Sequence, residues 1–170
     1  PDLLVNLGNA CLSCGDAPAA LGAFEDAAQC GATDVAYWLG HGAAAMACQR
    51  FDEACGLLQR AFQAEPDAAD VRIAWAECLC ELERLEEAGR CVAEVDQGML
   101  SGPQRADLAW LLARCGHEAR GDTLLAQCID AMPDRVELRV RRALLLERLN
   151  RLGEAGAGLA RAGSEAQSPM

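Results

Sequence analysis

Residues 35–66 read VAYWLGHGAAAMACQRFDEACGLLQRAFQAEP, and this stretch decides the fold. Small and apolar side chains recur in both halves at spacings of three and four, which is the period of an amphipathic helix. Gly42 and Ala45 mark one face of the first half, and Ala54 and Leu58 mark one face of the second. The stretch therefore predicts two helices joined by a short turn. Such a pair cannot bury its apolar stripes alone, so neighbouring pairs must stack on it.

The same pattern recurs on both sides of this stretch with a period of 34 residues. The period loses one residue between positions 98 and 103 and then resumes. One series of small residues comprises Gly8, Gly42, Ala76, Ala109 and Ala143, and a second comprises Ala20, Ala54, Ala88, Gly121 and Ala155. In the first unit, Gly8 fits a close crossing between the two helices, and Phe24 is the large residue that fills the gap. Self-similarity at a fixed period of this length is typical of helical-repeat arrays.

The repeated unit resembles the tetratricopeptide repeat, whose pattern is W-x2-L-G-x2-Y, then A-x3-F-x2-A, then P. Trp38, Gly42, Ala54, Ala61 and Pro66 match that pattern in the second unit. The resemblance implies an all-α fold, a right-handed superhelical solenoid of antiparallel helix pairs with ten main helices. Repeats are expected at 1–34, 35–68, 69–101, 102–135 and 136–163, followed by a disordered tail at 164–170. Helix boundaries are expected near Gly15, Gly31, Gln49, Pro66, Glu83, Gly98, Gly116, Pro133 and Asn150.

Charge and composition exclude several classes of function. The net charge of -11 argues against binding nucleic acid, whose phosphates require a basic face. No run of apolar residues is long enough to span a membrane. All fifteen basic residues are arginine, which we interpret as the codon bias of a GC-rich bacterial genome. The chain begins at Pro1 rather than Met, so we expect it to be part of a longer protein.

Ten cysteines are scattered through segments that otherwise read as helix. No signal peptide opens the chain, so a reducing cytoplasmic compartment is expected. Cys11 and Cys14 form a C-x2-C pair without the second pair that a zinc site needs. We therefore interpret the cysteines as small buried apolar residues and expect no metal and no cofactor. His41 occupies a packing position, no nucleophile or phosphate-loop motif occurs, and the sequence predicts no enzyme activity.

The resemblance implies a function in protein–protein interaction. In this family the first helix of each repeat lines a concave groove that holds a segment of a partner protein. Carried over position by position, the expected groove residues are Val5, Asn6, Asn9, Leu39, Ala43, Met46, Asp70, Ile73, Glu77, Glu81, Asp107, Trp110, Arg114 and Arg141. A subfamily that binds C-terminal carboxylates uses basic residues and two Asn. Of these only Asn9 is present, so an acidic C-terminal tail is not the expected ligand.

Charge along the groove indicates what kind of segment it would hold. Asp70, Glu77 and Glu81 recur at spacings of seven and four, along one helix face. Residues 135–170 carry seven Arg against four acidic residues, which suggests a groove that is acidic at the third repeat and basic at the fifth. Trp110 is expected either to face the groove or to lean on its neighbouring helix. The hypothesis is a basic partner segment with an apolar anchor.

Two alternatives stay open from the sequence. The chain could be the accessory repeat region of a larger bacterial enzyme, for example a transferase, whose catalytic domain is absent here. It could also associate with itself through the exposed ends of the array. The first alternative depends on family analogy alone.

Overall fold

The computed structural model describes residues 1–149. Within that range the chain forms nine α-helices, one short 3-10 helix and no strand. The α-helices are α1 (Asp2–Ser13), α2 (Ala17–Gln29), α3 (Val35–Ala47), α4 (Phe51–Ala64), α5 (Ala69–Glu81), α6 (Leu85–Ala93), α7 (Gly102–Arg114), α8 (Glu118–Ala131) and α9 (Val136–Arg148), with the 3-10 helix at Gln97–Met99. The predicted all-α helical-repeat fold is confirmed. The expected tenth helix and the 164–170 tail lie outside the described residues.

The chain divides into two compact units, unit 1 (Pro1–Cys91) and unit 2 (Val92–Met170). In unit 1, α1 pairs with α2 and α3 with α4, and each pair also packs on the helix that follows it. The first helices of successive repeats form their own layer, in which α1 contacts α3 and α3 contacts α5. Unit 2 repeats this arrangement with α7, α8 and α9.

The turn between the two helices of a repeat has the same conformation in four repeats. Its central residue has a left-handed backbone: Gly15 (φ 78°), Gln49 (φ 61°), Glu83 (φ 59°) and Gly116 (φ 87°). At the second turn the N–H of Gln49 donates to the carbonyl of Met46, and the N–H of Arg50 donates to the carbonyl of Ala45. This pair of bonds is the Schellman motif, which satisfies carbonyl groups that a helix end leaves unpaired.

Close packing of the two helices within a repeat depends on small residues. A Cβ atom at Gly8 would lie 2.7 Å from the ring of Phe24, and one at Gly42 would lie 2.7 Å from Cγ of Leu58. Phe24 and Leu58 are both fully buried. The predicted role of Gly8 as a close-crossing residue, with Phe24 filling the gap, is therefore confirmed.

In unit 2, the small residue that allows the two helices of a repeat to approach closely lies on the second helix. Gly121 of α8 stands where the repeat pattern has Ala, and a Cβ atom there would lie 2.7 Å from the carbonyl oxygen of Ala109 on α7. The neighbouring Asp122 is buried and accepts a 2.6 Å hydrogen bond from Nε of Arg142 on α9. This ion pair ties α8 to α9.

Candidate partner-binding cleft

A cleft of about 440 Å³ opens in unit 1 where α3 and α5 lie side by side. Four of the predicted groove residues meet there: Ala43 and Met46 from α3, and Glu77 and Glu81 from α5. The remaining lining residues are Ala47, Gln49, Phe51 and Ala74. We name this surface the α3/α5 cleft.

The helical period explains why these side chains converge. Ala43 and Met46 are three residues apart, and Glu77 and Glu81 are four apart, so each pair occupies one helix face. Both glutamates are exposed, whereas Met46 is half-buried. The arrangement gives an apolar floor with two carboxylates at its edge.

Sequence reasoning did not place Gln49 and Phe51 in the cleft. Gln49 is the left-handed residue of the turn after α3, and Phe51 is the first residue of α4. Because the turn folds back sharply, both side chains reach a surface otherwise built by first helices. The sequence signal for this position is a bulky aromatic residue, Phe51, two residues after the turn residue Gln49; in the structure its side chain is half-buried.

Two predicted groove residues are core residues instead. Val5 is only 6 % exposed and Ile73 only 8 % exposed. Val5 packs in the core of unit 1 with Phe24 and Tyr37 among its members. Neighbouring helices cover both side chains, so the structure leaves these two positions little surface for a partner, less than the helical period alone indicates.

The other predicted residues of unit 1 lie outside the cleft lining. Asn6 and Asn9 are exposed on α1, and Leu39 is half-buried and packs on the core. Asp70 is exposed at the start of α5, where its carboxylate accepts a 2.9 Å hydrogen bond from the N–H of Val71. Glu77 and Glu81 are therefore the exposed acidic residues that line the cleft.

The predicted residues of unit 2 form a separate feature. Nη1 of Arg141 on α9 lies 3.0 Å from Oδ1 of Asp107 on α7, and the pair lines a smaller cleft of about 190 Å³. Trp110 and Arg114 are partly exposed on α7. Asp107 offsets the charge of Arg141, so the expected basic character of the fifth repeat is weaker at this position than the sequence suggests.

His41 belongs to the core, as its packing position predicted. Its ring stacks on Phe24 with centroids 5.9 Å apart, and its Nδ1 lies 2.9 Å from the hydroxyl of Tyr37. Burial lowers the pKa of His41 below 6.5, although Glu53, whose carboxylate lies 3.5 Å from Nε2, opposes that shift. The imidazole is therefore a neutral packing group.

Residues 1–149 contain no cluster of three or more His, Cys, Asp or Glu side chains arranged to hold a metal ion. All ten cysteines are free thiols. None of the helices in this range is long and apolar enough to cross a membrane.

Comparison with known proteins finds a family match over part of the chain. Residues 45–115 match the family model of the tetratricopeptide repeat. Comparison with curated protein sequences finds no match.

Several solved structures share the fold at low sequence identity. TTC0263, a thermophilic tetratricopeptide repeat protein of Thermus thermophilus, is 21 % identical with a TM-score of 0.75, over 95 % of this chain and 89 % of that one. MamA of Desulfovibrio magneticus RS-1 is 13 % identical with a TM-score of 0.74, over 99 % and 97 %. YrrB, a tetratricopeptide repeat protein with an unusual peptide-binding site, is 17 % identical with a TM-score of 0.66, over 94 % and 82 %.

Taken with the helix pairs and their small-residue crossings, these findings support a tetratricopeptide repeat protein, and the predicted resemblance is confirmed. Residues 45–115 carry the match to the family, and the alignments with these three solved structures cover at least 94 % of this chain.

Proposed function

We propose that the chain is a protein-interaction module whose α3/α5 cleft holds an extended or helical segment of a partner protein. The observation that carries the proposal is the apolar floor at Ala43 and Met46 beside the exposed carboxylates of Glu77 and Glu81. A peptide-binding site in the similarly folded YrrB is consistent with this use of the fold. Repeat arrays of this kind present concave surfaces suited to such segments.

The lining indicates a segment that places Arg or Lys beside an apolar residue. Met46 is unbranched and adapts to irregular apolar partners, and Phe51 adds aromatic area to the lining of the cleft. Glu77 and Glu81 would attract the cation. Exposed ion pairs are each worth about 1 kcal/mol or less, so we expect micromolar affinity that weakens as salt is added.

Trp110 lies in unit 2, and the proposal does not require it to act with the α3/α5 cleft. Because its ring is partly exposed, we still expect Trp110 to provide an apolar anchor for a partner protein. If it does, Trp110→Ala weakens binding of the natural partner, because aromatic anchors tend to dominate such surfaces.

The test uses fluorescence anisotropy with two short labelled peptides, one alternating Arg with Leu and the other alternating Glu with Leu. The wild-type chain should bind the Arg peptide more tightly. Glu77→Arg should weaken that binding about tenfold, since it removes one attraction and adds a repulsion. The matched control is Asp26→Arg on α2, an exposed position with the same charge change and no place in the cleft lining.

Met46→Arg is a second test variant. It places a large charged side chain on the apolar floor of the α3/α5 cleft and leaves the carboxylates of Glu77 and Glu81 unchanged. Loss of Arg-peptide binding in Glu77→Arg and Met46→Arg, with binding retained in Asp26→Arg, would support the cleft. Equal loss in all three variants would show that overall charge, and not this cleft, attracts the peptide.

A further inference from the structure

Two cysteines lie close to each other on neighbouring helices of unit 1. Cys78 on α5 is fully buried, and its thiol donates a 3.5 Å hydrogen bond to the carbonyl oxygen of Phe51 on α4. Phe51 is one helical turn before Cys55 on α4, so this contact sets Sγ of Cys78 over the turn that carries Cys55. Cys55 also packs against the core cluster that contains Cys78.

An arginine completes the cluster. Nη1 of Arg84 lies 3.5 Å from Sγ of Cys55, while its Nε and Nη2 each lie 2.8 Å from an oxygen of Glu87. The bidentate pair with Glu87 fixes the guanidinium plane and leaves Nη1 directed at the sulfur. Cys55 is only partly buried. Reactive cysteines are commonly partly exposed and lie beside a basic side chain.

The two thiols differ in environment. Burial, with a further contribution from Cys55, raises the pKa of Cys78 to about 12. Cys78 therefore stays protonated at neutral pH and is shielded from solvent. An oxidant in solution would react first with Cys55, which is partly exposed.

We propose that Cys55 and Cys78 form a peroxide-sensitive dithiol that closes to a disulfide joining α4 to α5. In the first step the Cys55 thiolate attacks one oxygen of hydrogen peroxide, the O–O bond breaks, and hydroxide leaves as a sulfenic acid forms on Cys55. In the second step Sγ of Cys78 attacks Sγ of Cys55, and the departing hydroxyl takes the Cys78 proton to leave as water. The net reaction turns two thiols and one hydrogen peroxide into one disulfide and two waters.

A Cys55–Cys78 disulfide would restrain α5, and α5 forms one side of the α3/α5 cleft. Cys78 adjoins Glu77 in sequence, and Phe51, whose carbonyl accepts from Cys78, lines the cleft. A covalent link between α4 and α5 would join the helices that carry Phe51 and Glu77, which both line that cleft. The proposal of a peroxide-sensitive dithiol does not depend on whether the cleft binds a peptide.

The experiment starts from the full chain carrying Cys14→Ser and Cys30→Ser, because these two exposed thiols would otherwise cross-link separate molecules. The reduced protein is treated with equimolar hydrogen peroxide, alkylated, digested and mapped by mass spectrometry. We expect a loss of two hydrogen masses, a Cys55–Cys78 cross-linked peptide, and full reversal by dithiothreitol. Absence of that peptide, or faster oxidation at the partly exposed Cys48 and Cys115, would overturn the proposal.

Two further variants separate the chemistry from effects on folding. Arg84→Gln should slow disulfide formation about threefold, because it removes the cation beside Cys55. Arg60→Gln, an exposed arginine on α4 with no contact to the thiols, should leave the rate unchanged. Cys78→Ala should stop the reaction at a sulfenic acid on Cys55 that dimedone traps. Equal rates for Arg84→Gln and wild type would refute the role of the guanidinium.

Discussion

The close crossing of α3 and α4 gives a sharp prediction for Gly42. Replacing a glycine inside a helix by alanine ordinarily stabilises it by about 1 kcal/mol, since the unfolded chain loses freedom. At Gly42 the new Cβ would lie 2.7 Å from Cγ and 2.8 Å from Cδ2 of Leu58. Leu58 is fully buried among the core side chains of unit 1. Overpacking of this kind costs about 1–3 kcal/mol, so Gly42→Ala should be neutral or destabilising by up to about 2 kcal/mol.

Gly56 on α4 provides the matched control. A Cβ atom there meets nothing within 4 Å, so Gly56→Ala should gain the full helix benefit of about 1 kcal/mol. The two variants should therefore differ by about 1–3 kcal/mol in the free energy of unfolding, although they make the same chemical change.

Urea denaturation followed by far-ultraviolet circular dichroism measures both values. A double-mutant cycle adds a second check: Leu58→Ala alone should cost about 2–5 kcal/mol, and less when Gly42→Ala is already present. Equal stabilisation by Gly42→Ala and Gly56→Ala would refute the close approach of the two helices.

Three further predictions concern the turns, the core histidine and the repeats. Gln49→Gly and Glu83→Gly should each raise the free energy of unfolding by about 0.5–1 kcal/mol in the same urea assay, because glycine adopts a positive φ without strain; no gain at either site would contradict the left-handed turn. The lowered pKa of His41 means that the unfolded chain binds its proton first, so stability should be intact above about pH 6.5 and fall as pH drops from there through the folded-state pKa. His41→Gln should flatten that part of a pH–stability profile, and an unchanged slope would exclude this histidine as its cause. A chain ending at Asp134 should remain helical and unfold cooperatively, because repeats contact only their neighbours; a circular dichroism spectrum of an unfolded chain would contradict this.

The repeat period predicted the helices and their crossings because both depend on local spacing. Gly8 and Phe24 were correctly paired from sequence, since a small residue on one helix requires a large one on the next. The same spacing assigned Val5 and Ile73 to the groove, yet both are buried. A helical period shows which side chains share a face, but how much of that face a neighbouring helix covers depends on packing distances that spacing does not contain.

Contacts between residues far apart in sequence were beyond the reach of pattern analysis. The ion pair of Asp107 and Arg141 joins two helices at equivalent repeat positions, and neither charge alone indicates its partner. Cys55 and Cys78 belong to no shared repeat position, so their proximity follows only from how α4 and α5 pack. Side-chain pairing between helices is thus the part of the site that required coordinates.

The recurring left-handed turn also shows where the chain tolerates a change in length. The small residue of the first helix precedes the turn residue by seven positions at Gly15, Gln49, Glu83 and Gly116 alike. The single missing residue falls between the last two of these turns, in the part of the chain with the short helix α6 and the 3-10 helix at Gln97–Met99. Each helical hairpin thus keeps a fixed internal length, whereas the joints, the segments that connect successive hairpins, accommodate insertions and deletions. Grafts or duplications of repeats in this protein should be cut at those joints, where the chain already accommodates a residue more or less.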